Sequence, residues 1–241
     1  MMKILITNDD SVSAGQLIPL IRWCRKFGEV TVAVPKYEQS GKSHGIELHT
    51  HIEAVEKNIA PDIKVWTVDS TPADCVRFAI LGLQLDFDLV ISGINRGFNI
   101  GTDTMYSGTV GAACEATALG INALAFSTCP EYYDSALKHL DVVMDFIRKN
   151  KLLDINPIYN INIPENPKGI RITRQGGSYY SDDFVHIGDG LYRPTGKCIY
   201  EDQNDETLDT DSVMRGYITI MPLTIDRTNY EVYNTLKELN N

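Results

Sequence analysis

The sequence predicts an α/β fold: a three-layer α/β/α Rossmann-like domain with a mostly parallel sheet, extended at its C-terminus by strand-rich chain. Three observations carry this. From Lys3 to about Ser127 short apolar runs alternate with amphipathic helical stretches, the rhythm of repeated strand and helix units. The first run, Lys3-Ile4-Leu5-Ile6-Thr7, passes directly into Asn8-Asp9-Asp10, so a buried strand delivers two carboxylates to the sheet edge where such folds place their ligands. After Lys151 the pattern becomes strict alternation, as in Tyr159-Asn160-Ile161-Asn162-Ile163 and Ile170-Arg171-Ile172-Thr173, which reads as antiparallel strands. The expected division is a Rossmann-like core over residues 1–150 and a completion of the sheet with a hairpin and helix over residues 151–241, together one structural domain.

Each element follows from its local pattern. Leu17, Leu20, Ile21 and Cys24 fall on one helical face, opposite Arg22, Arg25 and Lys26, and Gly28 is expected to end that helix. Val30 to Val34 is a second buried strand stopped by Pro35. Ile46 to Val55 and Ile63 to Val68 alternate loosely and predict a strand pair folded over one end of the sheet. Thr71-Pro72-Ala73-Asp74 is a helix start, with Thr71 as N-cap, Pro72 in the first turn and Asp74 in the capping-box position. Val76, Ala79, Ile80 and Leu83 supply its buried stripe. Asp88 to Ser92 is another strand, Gly93 to Tyr106 a loop rich in glycine and asparagine, and Ser107-Gly108-Thr109 opens a helix of small residues that can lie close to the sheet. Ala123 to Ser127 and the stripe Leu137, Leu140, Met144, Ile147 give a further strand and helix. The polar, aromatic stretch from Ser178 to Asp211 predicts a long hairpin arm, and Tyr230 to Leu239 a closing helix.

Composition narrows the function. The 241 residues are 43% hydrophobic and 22% charged, ordinary for a globular protein. A formal charge of -10 disfavours a long nucleic-acid groove. No apolar stretch is long enough to span a bilayer, and Met1-Met2-Lys3-Ile4 runs into a strand with no signal-like segment, so no membrane is expected and the location is expected to be cytoplasmic. Five scattered cysteines read as reduced thiols, without zinc spacing.

Three loops follow three parallel strands: Asn8 to Ser11, Lys36 to Gly45, and Gly93 to Tyr106. They converge on one edge and bring together Asp9, Asp10, Ser40 and Asn95. Two adjacent carboxylates resist ionising together unless a cation is present, and an all-oxygen set suits one hard divalent ion such as Mg2+ or Mn2+, with Ca2+ also acceptable. The helix opened by Ser107-Gly108-Thr109 directs free N–H groups toward the same edge, an anion site suited to phosphate. Metal beside phosphate cradle is the equipment of phosphoryl chemistry.

The segments Ile4-Leu5-Ile6-Thr7-Asn8-Asp9-Asp10, Gln39-Ser40-Gly41, Ser70-Thr71-Pro72-Ala73-Asp74-Cys75-Val76, Ser92-Gly93-Ile94-Asn95-Arg96-Gly97 with Asn99 and Gly101, and Tyr106-Ser107-Gly108-Thr109-Val110 resemble, in order, those of the survival-protein SurE family of metal-dependent nucleoside-monophosphate phosphatases. The resemblance implies a 5′-nucleotidase, with 3′-nucleotidase and exopolyphosphatase activity as further options. It implies one divalent ion on Asp9, Asp10, Ser40 and Asn95, catalysis centred on Asp9 and Asp10, and a homodimer or homotetramer built through the C-terminal extension. Asn99, Ser107, Gly108 and Thr109 would then hold the phosphoryl oxygens of a nucleoside monophosphate. The chain departs from the family pattern with Ser11 where the family usually has Gly, and with Ala14-Gly15 where it has Pro-Gly. A non-catalytic nucleotide- or metal-sensing protein is the alternative, with Ser11 its one support. Gly41-Lys42-Ser43 lacks the earlier glycine of a P-loop, and Gly93, Gly97 and Gly101 do not have dinucleotide-binding spacing. His44 lies in the second loop, where it would be able to donate to a leaving group, and Lys42 and Arg96 are candidate cations for the phosphate.

Overall fold

The structure is a computed structural model and describes residues 1–239. Strands β1 (Met2–Thr7), β2 (Gly28–Pro35), β3 (Ala54–Ala60), β4 (Ile63–Val68), β5 (Leu89–Arg96), β6 (Asn122–Thr128), β7 (Ile158–Ile163), β8 (Ile170–Ile172) and β11 (Ile218–Pro222) form one nine-stranded sheet in the order β3-β4-β2-β1-β5-β6-β7-β11-β8. Strands β9 (Tyr180–Gly188) and β10 (Leu191–Cys198) pair separately as an antiparallel ribbon. The helices are α1 (Leu17–Cys24), α2 (Pro72–Arg77), α3 (Gly108–Ala118), α4 (Leu140–Lys149), α5 (Leu152–Ile155), α6 (Asp209–Met214) and α7 (Tyr230–Leu236).

Alternation along β1 explains the layers. Ile4 and Ile6 join Leu20, Ile21, Leu140, Val143 and Ile147 in one apolar cluster, the face covered by α1 and α4. Leu5 points the other way, into a cluster with Val76, Ala79, Ala112, Ala113 and Ala116 from the α2 and α3 side. The alanines of α3 let it lie close to the sheet. The capping expectation for α2 holds: Thr71 Oγ1 accepts from the Asp74 amide at 3.1 Å.

Several expectations are corrected. Gly28 opens β2 instead of ending α1, pairing with Met2. The strand expected from Ile46 begins at Ala54, because Glu47 Oε1 accepts from the amides of His49 and Thr50 and holds that stretch in a side-chain-stabilised turn. The β3 and β4 pair extends the main sheet, since β4 runs parallel to β2. Strand β5 continues through Asn95 and Arg96, past an irregularity beside β6. At that irregularity Gly93 has φ +131°, and a Cβ there would lie 2.3 Å from the carbonyl oxygen of Phe126, so only glycine fits. The C-terminal third is not uniformly antiparallel: β7 is parallel to β6 and β8 to β11, with β11 antiparallel to β7. Its alternation is genuine, but the Asn160 and Asn162 face is buried instead of solvated. Helix α7 does not close the core, as none of its residues is buried.

Candidate active site at the carboxyl edge of the sheet

Strands β2, β1 and β5 are adjacent and parallel, so the chain after Thr7, Pro35 and Arg96 emerges at one edge. Backbone bonds join these exits: the Gln39 amide donates to the Asp9 carbonyl at 2.8 Å, and the Arg96 amide donates to Asp10 Oδ2 at 3.0 Å. The first loop is held internally by Asn8 Nδ2, which donates to the Ser11 carbonyl at 3.0 Å. Ser11 takes φ +72°, the left-handed conformation a glycine would adopt freely, and its Oγ accepts from the Ser13 amide at 3.3 Å. The departure at Ser11 thus leaves a left-handed turn, at about 1 kcal/mol of backbone cost.

Asp9 is 3% exposed. Its carboxylate receives Thr109 Oγ1 at 2.7 Å on Oδ1 and the Thr109 amide at 3.1 Å on Oδ2, which binds the first loop to the N-terminus of α3. This approach needs Gly108, because a Cβ there would sit 3.0 Å from Asp9 Cβ and 3.1 Å from Oδ2. Burial raises the Asp9 pKa, with the Thr109 bonds opposing it and Glu38 adding to it. Asp10 is raised to about 6, first by burial and then by the charge of Asp9. Among the described residues neither carboxylate has an ion pair.

Two adjacent acids with Glu38 nearby, short of positive charge, form a donor set suited to a hard cation. The set is two carboxylates supplemented by a hydroxyl and an amide. Among the described residues no three or more His, Cys, Asp or Glu are grouped so as to hold a metal ion, so an ion here would depend on the hydroxyl and amide oxygens beside the two aspartates. Ser40 is exposed, with its Oγ donating to Glu38 Oε1 at 2.9 Å, and Asn95 donates from Nδ2 to the Gly97 carbonyl at 2.8 Å, leaving its Oδ1 available.

The structure divides the roles in the α3 segment. Ser107 Oγ accepts from the Val110 amide at 3.1 Å, as an N-cap does. Thr109 spends both its hydroxyl and its amide on Asp9. The Gly108 amide has no hydrogen bond among the described residues. Asn99 is 7% exposed and is a node of the loop: its amide donates to Asn162 Oδ1, its Nδ2 to Ser127 Oγ, and its carbonyl accepts from Asn160 and Asn162. His44 is engaged by Glu115 at 2.6 Å, which also binds Arg77 at 3.0 Å.

Sequence reasoning missed four supports. Glu38 faces the acidic pair, Asn160 and Asn162 hold the Asn99 loop, and Asp209 accepts from the amides of Gly101 at 2.9 Å and Gly176 at 2.7 Å. The two asparagines were signalled by amides recurring on one face of an otherwise apolar strand. Glu38 and Asp209 had no sequence signal that separates them from surface acids.

The family model described as survival protein SurE matches residues 4–182. The chain is 37% identical to "5'-nucleotidase SurE" of Clostridium beijerinckii, over 99% of each chain. It is 38% identical to "5'-nucleotidase SurE" of a Thermoanaerobacter species, over 98% of this chain and 97% of that one. The crystal structure of the SurE protein from Aquifex aeolicus superposes with a TM-score of 0.77 at 31% identity, covering 99% of this chain and 100% of that one. With the paired aspartates at the end of β1 and the glycine-dependent approach of α3 to them, these likenesses show that the chain belongs to the SurE family.

Proposed function

We propose that this protein is a divalent-metal-dependent phosphatase that hydrolyses nucleoside monophosphates, a 5′-nucleotidase. The observation that carries the reading is the pair Asp9 and Asp10, buried or half-buried with no ion pair among the described residues, with Asp9 bonded to the N-terminus of α3. The curated relatives bear the name of this enzyme, and no observation favours a binding-only role.

A divalent ion, Mg2+ or Mn2+, on the oxygens of Asp9, Asp10, Ser40 and Asn95 would polarise a phosphoryl oxygen and activate an attacking water. The remaining work falls to the chain. Thr109 orients Asp9, and both of its bonds favour the charged form and so oppose the upward push that burial gives this carboxyl. The free Gly108 amide and the Ser107 hydroxyl proton are the donors left at the α3 N-terminus for phosphoryl oxygens, in the manner of preorganised donors to developing charge. Asn99 sets the position of its loop.

We further propose a cytoplasmic homodimer or homotetramer. All five cysteines are free, as in a reducing compartment. Among the described residues no helix is long and apolar enough to cross a membrane. The ribbon of β9 and β10 leaves Phe184, Ile187 and Leu191 more than half exposed, a surface suited to a second copy.

The test is phosphate release from a panel of mononucleotides by metal-stripped protein given Mg2+, Mn2+ or Ca2+ separately. Metal-dependent release from at least one nucleotide is expected. Saturable nucleotide binding with no release under any metal would replace the reading with a sensor.

A further inference from the structure

The loop after β2 carries Ser40 between two fixed points. At the first, the Gln39 amide donates to the Asp9 carbonyl at 2.8 Å. At the second, the Ser43 amide donates to the Tyr106 carbonyl at 3.0 Å and Ser43 Oγ to the Met105 carbonyl at 2.6 Å. Only Ser40, Gly41 and Lys42 lie between them, closed by the Lys42 amide on the Gln39 carbonyl at 3.3 Å. The place of the Ser40 oxygen therefore follows the two fixed points. Ser43 takes φ +55°, a left-handed conformation that a serine keeps only where its surroundings impose it.

The second point continues into a side-chain clamp. Gly111 lets the loop lie against α3: a Cβ there would sit 2.3 Å from the Ser43 carbonyl oxygen and 2.9 Å from His44 Cα. One turn further along the helix, Glu115 Oε2 lies 2.6 Å from His44 Nε2, and Glu115 Oε1 accepts from Arg77 Nη1 at 3.0 Å. Arg77 belongs to α2, whose start holds the far end of the loop: Thr71 Oγ1 donates to the Gly45 carbonyl at 2.7 Å, and the Glu47 amide to Asp74 Oδ2 at 2.8 Å. Glu115 is 7% exposed. The bond from His44, followed by that from Arg77, holds its carboxyl below the usual carboxylate range against the push of burial. An imidazole can donate from Nε2 when neutral and when protonated, so the clamp holds in both states.

Resting on the metal site of the phosphatase reading, we propose that Glu115 is a positioning residue for that site: acting through His44, it fixes the second loop so that Ser40 presents its oxygen to an ion on Asp9 and Asp10. The Ser40 hydroxyl spends its proton on Glu38, which leaves its lone pairs for a cation. Glu38 itself precedes the Gln39 anchor, so the clamp acts on Ser40 and not on Glu38. The position calls for a carboxylate, because two donors, His44 and Arg77, need two acceptor oxygens and an amide offers one.

The test is calorimetric titration of metal-stripped, full-length protein with Mn2+. The proteins are wild type, Glu115→Gln, His44→Ala, His44→Gln and Ser40→Ala, with Glu115→Gln and His44→Ala also placed in the Ser40→Ala background. Glu115→Gln and His44→Ala are each expected to weaken Mn2+ binding about tenfold, as loss of the support behind a metal ligand does. His44→Gln keeps a donor in place of Nε2 and is expected to stay within about twofold of wild type. In the Ser40→Ala background Glu115→Gln is expected to cost less than about twofold more, because the oxygen it positions is gone. A role confined to holding the fold together predicts a lower melting temperature with wild-type Mn2+ affinity, or an equal loss in both backgrounds. Either result overturns the proposal. If Glu115→Gln does not fold, His44→Ala in the two backgrounds decides by the same criterion. No Mn2+ binding by wild type also overturns it. Mn2+ binding without phosphate release from any nucleotide defeats the phosphatase reading alone, and the same titrations still judge Glu115.

Discussion

At the carboxyl edge of β1, Asp9 is 3% exposed and bonded to a residue a hundred positions away, whereas on the ribbon Phe184 is 65% exposed and Leu191 61%. The edge is bound together by short-range polar geometry on a packed scaffold. The ribbon meets the rest of the chain mainly at its root, where the Tyr180 amide donates to Asp103 Oδ2 at 2.9 Å. Burial at the edge raises the cost of its charges and makes them responsive to a cation. Exposure on the ribbon leaves apolar area that no other described residue covers. On the proposed reading an ion would complete the first region and a second copy the other.

The largest expected effect breaks the first half of that contrast. Asp9→Asn keeps the volume but removes a charge, and a Lewis-acid contribution of several kcal/mol corresponds to a loss on the order of a thousandfold in kcat/KM. Calorimetric titration with Mn2+ should show binding weakened in parallel, while the metal-free melting temperature reads the balance between the relieved repulsion on Asp10 and the loss of one of the two Thr109 bonds, since an amide offers one acceptor oxygen where the carboxylate offers two. Full activity at limiting metal would remove Asp9 from the site.

Next comes the ribbon. Phe184→Asp together with Ile187→Asp should convert a dimer or larger species to monomer, weakening self-association by about a hundredfold if both side chains are buried anchors, with thermal unfolding of the core unchanged. Light scattering at high micromolar concentration reads the outcome. A monomeric wild type would show that the ribbon's exposure has another purpose.

The legibility of the two regions differed for a physical reason. Strand β1, the cap at Thr71 and the opening of α3 at Ser107 were readable because each rests on local chemistry within a few residues. The stretch from Ile46 was misread because Glu47 satisfies backbone amides that a ladder would otherwise use. Parallel pairing of β7 was missed because alternation of Asn and Ile reports two unlike faces and cannot say that both are buried. At the candidate site, the meeting of the loops was legible and the hydrogen bonds their side chains make were not. The sequence groups Thr109 with the phosphate donors, whereas the fold places its hydroxyl on Asp9.

A third expected effect concerns acid. The folded pKa of Asp10, about 6, lies above the ordinary carboxylate value of about 4, so folding holds that proton more tightly than the unfolded chain does. In metal-free protein the associated stability is complete below about pH 4 and lost as pH rises through about 6. Other carboxylates act in the opposite direction, so the measurement is the difference in melting temperature between wild type and Asp10→Asn. That difference should shift against wild type across this window. Protons also compete with the ion, and metal affinity should fall by up to about tenfold per pH unit below 6. A pH-independent difference would mean that the two acids do not interact as described.

The smallest effect separates two neighbours in α3 that the sequence presents as equivalent. Thr109→Val removes the hydroxyl that donates to Asp9 at nearly constant volume. Losing a hydrogen bond to a charged group costs about 1.5 to 3 kcal/mol, or roughly ten- to a hundredfold in kcat/KM. Because that bond helps keep Asp9 ionised, the acid limb of the rate profile should also move to higher pH. Ser107→Ala removes an N-cap acceptor for the Val110 amide, which costs about 1 kcal/mol of stability. It also tests whether the Ser107 hydroxyl proton reaches the substrate. If that proton does reach the phosphoryl group, kcat/KM falls about tenfold at unchanged acid limb; if capping is its whole role, only the melting temperature moves. A shifted acid limb in Ser107→Ala would contradict both readings, since nothing connects this hydroxyl to Asp9 except through Thr109.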